Sequence, residues 1–228
     1  MKKYERWWLQ DDSGEDSMES EHTFHWEKVL SYCNPEDFID KIVLDFGCNQ
    51  GGLLRYVYHT FGFKKGVGID LGRGSIKIAK DRGEGYPITY LATGDPGEAG
   101  ILFDTAISSS VIYLIKDLRA HARLMDACLI PGGTYYISYS DYVGNPNLPQ
   151  IFKTINTFGN IKMNLHSLKD IARAFWEENF QVSVLRLQPQ GFIPLSEQDP
   201  WHARIEERMD YEYTQSYLFK CTKPKKEN

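Results

Sequence analysis

Residues 43–52 read Val-Leu-Asp-Phe-Gly-Cys-Asn-Gln-Gly-Gly, and this run constrains the fold more than any other part of the chain. Apolar residues at 42–44 predict a short buried strand, glycines at 47, 51 and 52 predict a tight turn, and apolar residues then continue at helical spacing. A second apolar stretch, 67–69, ends in Asp70, where an acid can accept hydrogen bonds from ribose hydroxyls. Because a glycine turn and a helix start suit close contact with a ligand, the run predicts a nucleotide-handling unit.

Two common nucleotide-binding fingerprints are absent from this run. Gly47 is followed by Cys48 and Asn49, so the dinucleotide pattern Gly-x-Gly-x-x-Gly fails, and the chain has no Gly-Lys-Ser/Thr of a P-loop. What remains resembles the first motif of the class I S-adenosylmethionine (SAM) methyltransferases, commonly Asp-x-Gly-Cys-Gly-x-Gly, with the match running from Asp45 to Gly51. Asn49 replaces a glycine of that motif, and asparagine tolerates a positive φ better than other non-glycine residues.

The same resemblance extends through the later part of the chain, over residues 41–222. Strands are predicted at 103–108, 134–138, 181–187 and 216–222, and helical spacing marks residues 118–129 and 168–175. In the family an aspartate after the third strand contacts adenine and Leu-x-Pro-Gly-Gly precedes the fifth strand, and Asp95 and residues 129–133 match these places. The resemblance implies a Rossmann-like, doubly wound α/β sheet of seven strands, the last one antiparallel, with helices on both faces.

The resemblance also implies SAM as the cofactor and S-adenosylhomocysteine as the product. The residues expected to bind the cofactor are Asp45, Gly47, Cys48, Asn49, Gly51, Asp70, Leu71, Asp95 and Ser108. The glycines are expected to contact its methionine and ribose parts through the backbone, Leu71 to pack on adenine or ribose, and Asp95 to contact the adenine amino group. Serines 108–110 stand where DNA and some protein N-methyltransferases carry Asn/Asp-Pro-Pro-Tyr/Phe, which disfavours methylation of amides or exocyclic base nitrogens.

Size and composition favour one cytoplasmic domain spanning residues 1–228. A chain of 228 residues can bury a full α/β core, its longest apolar run is far short of the ~20 residues of a membrane span, and its N-terminus lacks a signal peptide's apolar centre. The four cysteines are scattered and His22 and His25 form only a local cluster, so no metal site or disulfide framework is predicted. A net charge of −5 argues against a nucleic-acid partner, and the oligomeric state is left open.

Three segments exceed what the core needs. Ligands of open α/β sheets bind beyond the carboxyl ends of the strands, where residues 139–165 and 188–210 both begin, and residues 1–30 can fold over the same face as an N-terminal cap. We predict that these segments form a lid over the substrate. The predicted substrate-binding residues are Trp7, Trp8, Tyr113, Tyr139 and His202. Residues 10–21 carry six acidic residues and are predicted to be a mobile loop.

Methyl transfer from SAM is a direct displacement, so positioning supplies much of the catalysis. A hydroxyl acceptor needs a base near neutral pH, which histidine suits best, whereas an amine acceptor needs only to arrive deprotonated. His166 and His25 are the candidate bases, and Tyr142 completes the catalytic candidates. We therefore expect methyl transfer to an oxygen or nitrogen of a small polar molecule. An RNA or protein methyltransferase, or a SAM-binding regulatory subunit without activity, stays open as an alternative.

Overall fold

The computed structural model describes residues 3–9, 14–197, 199, 201, 202 and 204–225. Within these residues seven strands form one sheet in the order β3-β2-β1-β4-β5-β7-β6. The strands are β1 (Ile42–Phe46), β2 (Lys65–Asp70), β3 (Ile88–Ala92), β4 (Phe103–Ser109), β5 (Leu129–Ser140), β6 (Gln181–Arg186) and β7 (Ser216–Thr222). Strands β1 to β5 pair in parallel, and β7 pairs antiparallel with both β5 and β6. This confirms the predicted sheet with its antiparallel last strand.

Helices cover both faces of the sheet, as predicted. They are α1 (Gly14–Leu30), α2 (Gly52–Phe61), α3 (Arg73–Arg82), α4 (Leu118–Cys128), α5 (Leu148–Phe158), α6 (Leu168–Trp176) and α7 (Ile205–Asp210). One core cluster joins the sheet to α4, α5 and α6, and a second joins it to α1, α2 and α3. Because both faces are covered, the central strands β1 and β4 are buried at nearly every position rather than at alternate positions. No described helix has the length and apolar character that crossing a membrane requires.

The start of β5 differs from the sequence prediction. The strand begins at Leu129 rather than at 134, and its pairing with β4 shifts register between Phe103 and Thr105. Gly132 adopts a φ of +84° within this irregular stretch. The Pro-Gly-Gly sequence therefore lies inside an interrupted strand instead of preceding it.

The prediction of a mobile loop at residues 10–21 is wrong for residues 14–21, because these residues belong to α1, which begins at Gly14. Residues 10–13 lie outside the described residues. The helix was missed because the face it buries mixes charged and apolar side chains, so the sequence shows no apolar stripe.

Residues 3–9, here called the N-terminal strap, run across the carboxyl end of the sheet between two rims. One rim is the loop between β2 and α3, and the other is the turn after α5. The hydrogen bonds are Tyr4 N to Leu71 O (3.2 Å), Arg73 N to Tyr4 O (2.8 Å), Gly74 N to Glu5 O (2.9 Å), Asn160 N to Trp7 O (2.9 Å) and Leu9 N to Phe158 O (2.9 Å). The strap and α1 together are called the cap below.

Candidate active site

A pocket of about 200 Å³ lies at the carboxyl ends of β1, β2 and β4, against the cap. Its inner wall consists of residues 45–50, 52, 53 and 69–71, which end β1 and β2 or follow them. Thr93 and Gly94 after β3, and residues after β4 up to Ile115, extend the lining. The carboxyl ends of parallel strands are where ligands of open α/β sheets bind, so this pocket is the candidate active site.

Asp45 places a buried carboxyl group in the inner wall. The residue is 1% exposed, and its Oδ2 has no hydrogen-bond partner among the described residues. Burial, and then the charge of Asp70, raise the pKa of Asp45 to about 8. A buried acid with an unpartnered oxygen at a pocket wall can accept a hydrogen bond from a ligand or pair with a cationic group of a ligand.

Asp70 ties the two loops of the inner wall together. Its Oδ2 accepts a hydrogen bond from Asn49 N at 3.0 Å, and its Oδ1 accepts one from Gly72 N at 2.7 Å. Burial raises the pKa of Asp70 to about 6, although these backbone donors oppose the shift. Asn49 has a φ of +45°, the left-handed conformation foreseen for it, and its Oδ1 has no partner among the described residues.

The two motif glycines have different surroundings. Gly47 lines the pocket with a φ of +82°, and a Cβ there would lie 2.5 Å from Val111 Cγ2. Gly51 is not among the lining residues; it precedes α2 with a φ of +77°, and a Cβ there would lie 2.5 Å from the Tyr90 ring. The Tyr90 hydroxyl donates a hydrogen bond to Gly51 O at 3.1 Å. Packing on Tyr90 therefore demands a glycine at position 51.

The remaining predicted cofactor residues divide into two groups. Cys48 and Leu71 line the pocket. Asp95 is exposed and outside the lining, where its carboxylate accepts a hydrogen bond from Gly97 N at 2.8 Å and caps the short helical turn Pro96–Ala99. Ser108 is buried within β4, and its neighbours at 109 and 110 line the pocket instead.

The cap contributes lining residues that the sequence prediction missed. They are spaced along one face of α1: Glu15, Met18, Glu19, His22 and Trp26. This i, i+3, i+4, i+7 spacing was the available signal, but it is mixed in character. His22 Nδ1 lies 2.6 Å from Met18 O, and a carbonyl only accepts, so the ring hydrogen is on Nδ1 and Nε2 is the basic nitrogen.

Glu15 holds the cap together. It is 2% exposed and accepts hydrogen bonds from Trp7 N, from Trp8 N at 3.1 Å and from Ser75 Oγ at 2.7 Å. One buried carboxylate thus joins the strap, α1 and α3.

The predicted substrate residues are only partly brought to the pocket. Trp7 and Tyr113 line it. Trp8 is buried beside it, with its ring 6.0 Å from that of Trp201, which does line the pocket. His202 lies outside the lining, with Nδ1 3.0 Å from Asp199 Oδ2.

The candidates Tyr139 and His166 lie outside the pocket lining and contact each other. Tyr139 donates its hydroxyl hydrogen to His166 O, and His166 Nε2 donates to Ile115 O at 2.7 Å. His166 faces a separate surface depression shared with Asp117 and Arg119, not the pocket.

The other two catalytic candidates also lie outside the lining. Tyr142 is buried among other tyrosines, 5.5 Å from the Tyr113 ring. His25 Nε2 lies 3.2 Å from Ser138 Oγ, which lies 3.4 Å from the pocket-lining Ser109 Oγ. Burial, and then Lys28, lower the pKa of His25 to about 3, so its ring is neutral at pH 7. Within the described residues, no cluster of three or more His, Cys, Asp or Glu side chains is arranged to hold a metal ion.

This sheet order, with a pocket at the carboxyl ends of β1, β2 and β4, is that of the class I SAM-dependent methyltransferases. The sequence profile of a family described as a methyltransferase domain matches residues 20–184, which is more than half of the chain. The chain therefore belongs to the methyltransferase domain family, and it is a SAM-dependent enzyme. No curated protein sequence matches it.

Solved structures share the fold at low sequence identity. A chain of the complex between the Haloferax volcanii Trm112 methyltransferase activator and a methyltransferase has a TM-score of 0.79 at 20% identity, over 93% of this chain and 95% of that chain. Geranyl diphosphate C-methyltransferase from Streptomyces coelicolor A3(2) has a TM-score of 0.65 at 14% identity, over 96% of this chain and 91% of that chain. Haemonchus contortus phosphoethanolamine N-methyltransferase 2 has a TM-score of 0.69 at 17% identity, over 94% of this chain and 58% of that chain.

Proposed function

We propose that this enzyme methylates an oxygen or nitrogen of a small molecule held between the inner wall and the cap. The observation that carries the proposal is the strap, which is hydrogen-bonded to both rims and crosses the pocket between them. A pocket bridged in this way admits a small acceptor and excludes water from it. A folded nucleic acid or protein would need an open groove at the same position.

The inner wall fits SAM, which supplies an electrophilic methyl group when it is bound. Asp45 offers an unused, buried carboxyl oxygen, and Gly47 lets the backbone approach a ligand where a side chain would meet Val111. Asp70 accepts ribose hydroxyls in this proposal, while Cys48, Asn49 and Leu71 complete the surface around it. Asp95, Ser108 and Gly51 support the surrounding backbone rather than contact the cofactor.

For a hydroxyl acceptor, two histidines of α1 are the candidates for proton handling. His22 lines the pocket and has a basic Nε2. His25 is a positioning residue, because it reaches the pocket only through the hydroxyls of Ser138 and Ser109. His166 meets the lining only at the main-chain oxygen of Ile115, and Tyr142 meets it only through ring packing on Tyr113, so neither is proposed here as the base.

We also propose that residues 1–228 act as one domain, in which parts of the two insertions cover the pocket together with the cap. The 139–165 segment supplies Ile161 to the pocket, and the 188–210 segment supplies Trp201. Both residues line the same pocket as the strap residue Trp7.

Calorimetry with S-adenosylhomocysteine, followed by a methyl-transfer screen of small amines and alcohols, tests the proposal. We expect micromolar binding of the product and transfer to at least one small acceptor. Asp70→Asn serves as the matched control, since it keeps the shape and removes the charge. Transfer only to RNA or protein would refute the small-molecule assignment.

A second candidate is favoured by the similarity to the activator complex, whose TM-score of 0.79 exceeds the 0.65 and 0.69 of the other two structures. In that case the enzyme works with a small activator subunit. Size-exclusion chromatography with a Trm112-type protein would then show a complex. A methyl-transfer assay of that complex would show a higher rate than the enzyme alone. Separate elution with unchanged activity would exclude this candidate.

A further inference from the structure

The ionisable side chains that line the pocket are mostly acidic. Four carboxyl groups line it, on Glu15, Glu19, Asp45 and Asp70, and burial raises the pKa of Asp45 to about 8, so that group is mostly protonated at pH 7. No Lys or Arg lines the pocket among the residues that the structure describes, where His22 is the one basic side chain of the lining. An anionic group of an acceptor would therefore lose its hydration without gaining the charge of a Lys or Arg side chain.

The nearest arginines are already engaged. Arg55 Nη2 pairs with Glu19 Oε2 at 2.6 Å and Arg82 Nη1 pairs with the same oxygen at 3.1 Å. Arg55 also donates to Gln50 O at 3.0 Å, and Arg82 donates to Gln50 Oε1 at 2.7 Å. Neither arginine is among the lining residues, and both pair with the carboxylate of Glu19.

The part of the pocket formed by the strap, the insertions and the segment after β4 is apolar. Its lining side chains are Trp7, Val111, Tyr113, Leu114, Ile161 and Trp201. Three aromatic rings among them offer faces that attract cations and cover apolar surface. Ser109 at the end of β4, and Ser110 and Tyr113 after it, add three hydroxyl groups to the lining.

We infer that the methyl acceptor is an amine or alcohol carried on an aromatic or aliphatic body, and that it bears no phosphate or carboxylate group. This inference rests on the proposed function, because it places the acceptor in the same pocket as the cofactor. It extends that function by excluding the phosphorylated acceptors named for solved relatives.

The test measures binding to the full-length protein loaded with S-adenosylhomocysteine. The probes are 2-phenylethylamine, 2-phenylethanol and 2-phenylethyl phosphate, which share one body and differ in charge. Tryptophan fluorescence reports on binding because Trp7, Trp26 and Trp201 line the pocket. We expect the phosphate to bind at least about tenfold more weakly than the amine or the alcohol.

A charge-introducing variant sharpens the test. Ile161→Lys places a cation in the apolar part of the lining, with Ile161→Met as a neutral control of similar length. The lysine variant should raise the relative affinity for the phosphate by about tenfold or more, and the methionine variant should not. Leu114→Lys repeats the test if Ile161→Lys does not fold.

The outcomes separate this inference from the function on which it rests. Failure of the wild-type protein to bind S-adenosylhomocysteine refutes the function. If S-adenosylhomocysteine binds normally, two outcomes overturn the inference alone. One is a phosphate probe that binds as tightly as the amine, and the other is no binding by any of the three probes.

Discussion

The inner wall and the cap meet the same pocket but are built in different ways. Asp45 and Asp70 stand at the ends of adjacent parallel strands, so the sheet itself sets their spacing. In the cap, by contrast, Glu15 reaches Ser75 and Glu19 reaches Arg55, across 60 and 36 positions of the chain. The comparison teaches that the geometry of the inner wall is fixed by topology, whereas the position of the cap depends on a few long-range polar contacts.

The largest effect should come from Gly51, which lies between the inner-wall residues Gln50 and Gly52. Gly51→Ala puts a Cβ 2.5 Å from Tyr90 at a φ of +77°. Left-handed strain and overpacking together should cost about 3 kcal/mol of unfolding free energy, measured by urea denaturation. Gly62→Ala is the control, because Gly62 has a φ of +68° with nothing within 4 Å of the added Cβ. An equal cost at both positions would mean that Tyr90 sets no constraint.

Asp70→Ala should give the next largest effect, on cofactor affinity. The change removes proposed ribose contacts and also frees Asn49 N and Gly72 N. Hydrogen bonds to a charged group contribute about 1.5–3 kcal/mol, so S-adenosylhomocysteine should bind roughly ten- to a hundredfold more weakly by calorimetry. Unchanged affinity in the folded variant would remove Asp70 from the cofactor site.

The buried acids predict how the free protein responds to pH. The pKa values of Asp45 and Asp70 are raised in the folded state to about 8 and about 6. A raised carboxyl pKa favours the protonated folded state, so the contribution to stability is full below about pH 4 and is lost as pH rises through 6 and 8. Asp45→Asn should flatten the upper part of this dependence, as measured by thermal unfolding without ligand. A profile identical to that of the wild type would contradict the assignment.

The smallest effect on cofactor binding should come from the cap. Glu15→Ala removes the acceptor for the strap N–H groups of Trp7 and Trp8 and for the Ser75 hydroxyl. We expect a clear fall in turnover and faster cleavage by trypsin after Arg6, with S-adenosylhomocysteine affinity changed less than about threefold. Glu15→Gln keeps an oxygen acceptor, so its turnover should lie between those of the wild type and Glu15→Ala. Equal losses of turnover and affinity would show that cap and inner wall are not separable.

The same contrast explains what the sequence could predict. The strand–turn–helix unit from β1 to α2 is local, so its glycines, Asn49 and Asp70 could be located from spacing alone. The pocket-facing side of α1 could not be predicted, because its acidic residues look, in sequence, like a solvated loop. In the structure Glu15 accepts a hydrogen bond from Ser75, and Glu19 pairs with Arg55 and Arg82, all of which lie far along the chain. The sequence could not rank the histidines for a related reason: whether His166 or His22 lines the pocket depends on tertiary packing, which sequence periodicity does not show.

The strap is held at both rims through its own peptide groups, and this has an evolutionary consequence. Main-chain hydrogen bonds do not depend on which side chain a residue carries, so position 7 can be exchanged without loosening the strap. Single substitutions in this short segment can then change which acceptor is methylated, with little loss of stability in the sheet. A library randomised at position 7 alone is thus a direct route to altered selectivity in this enzyme.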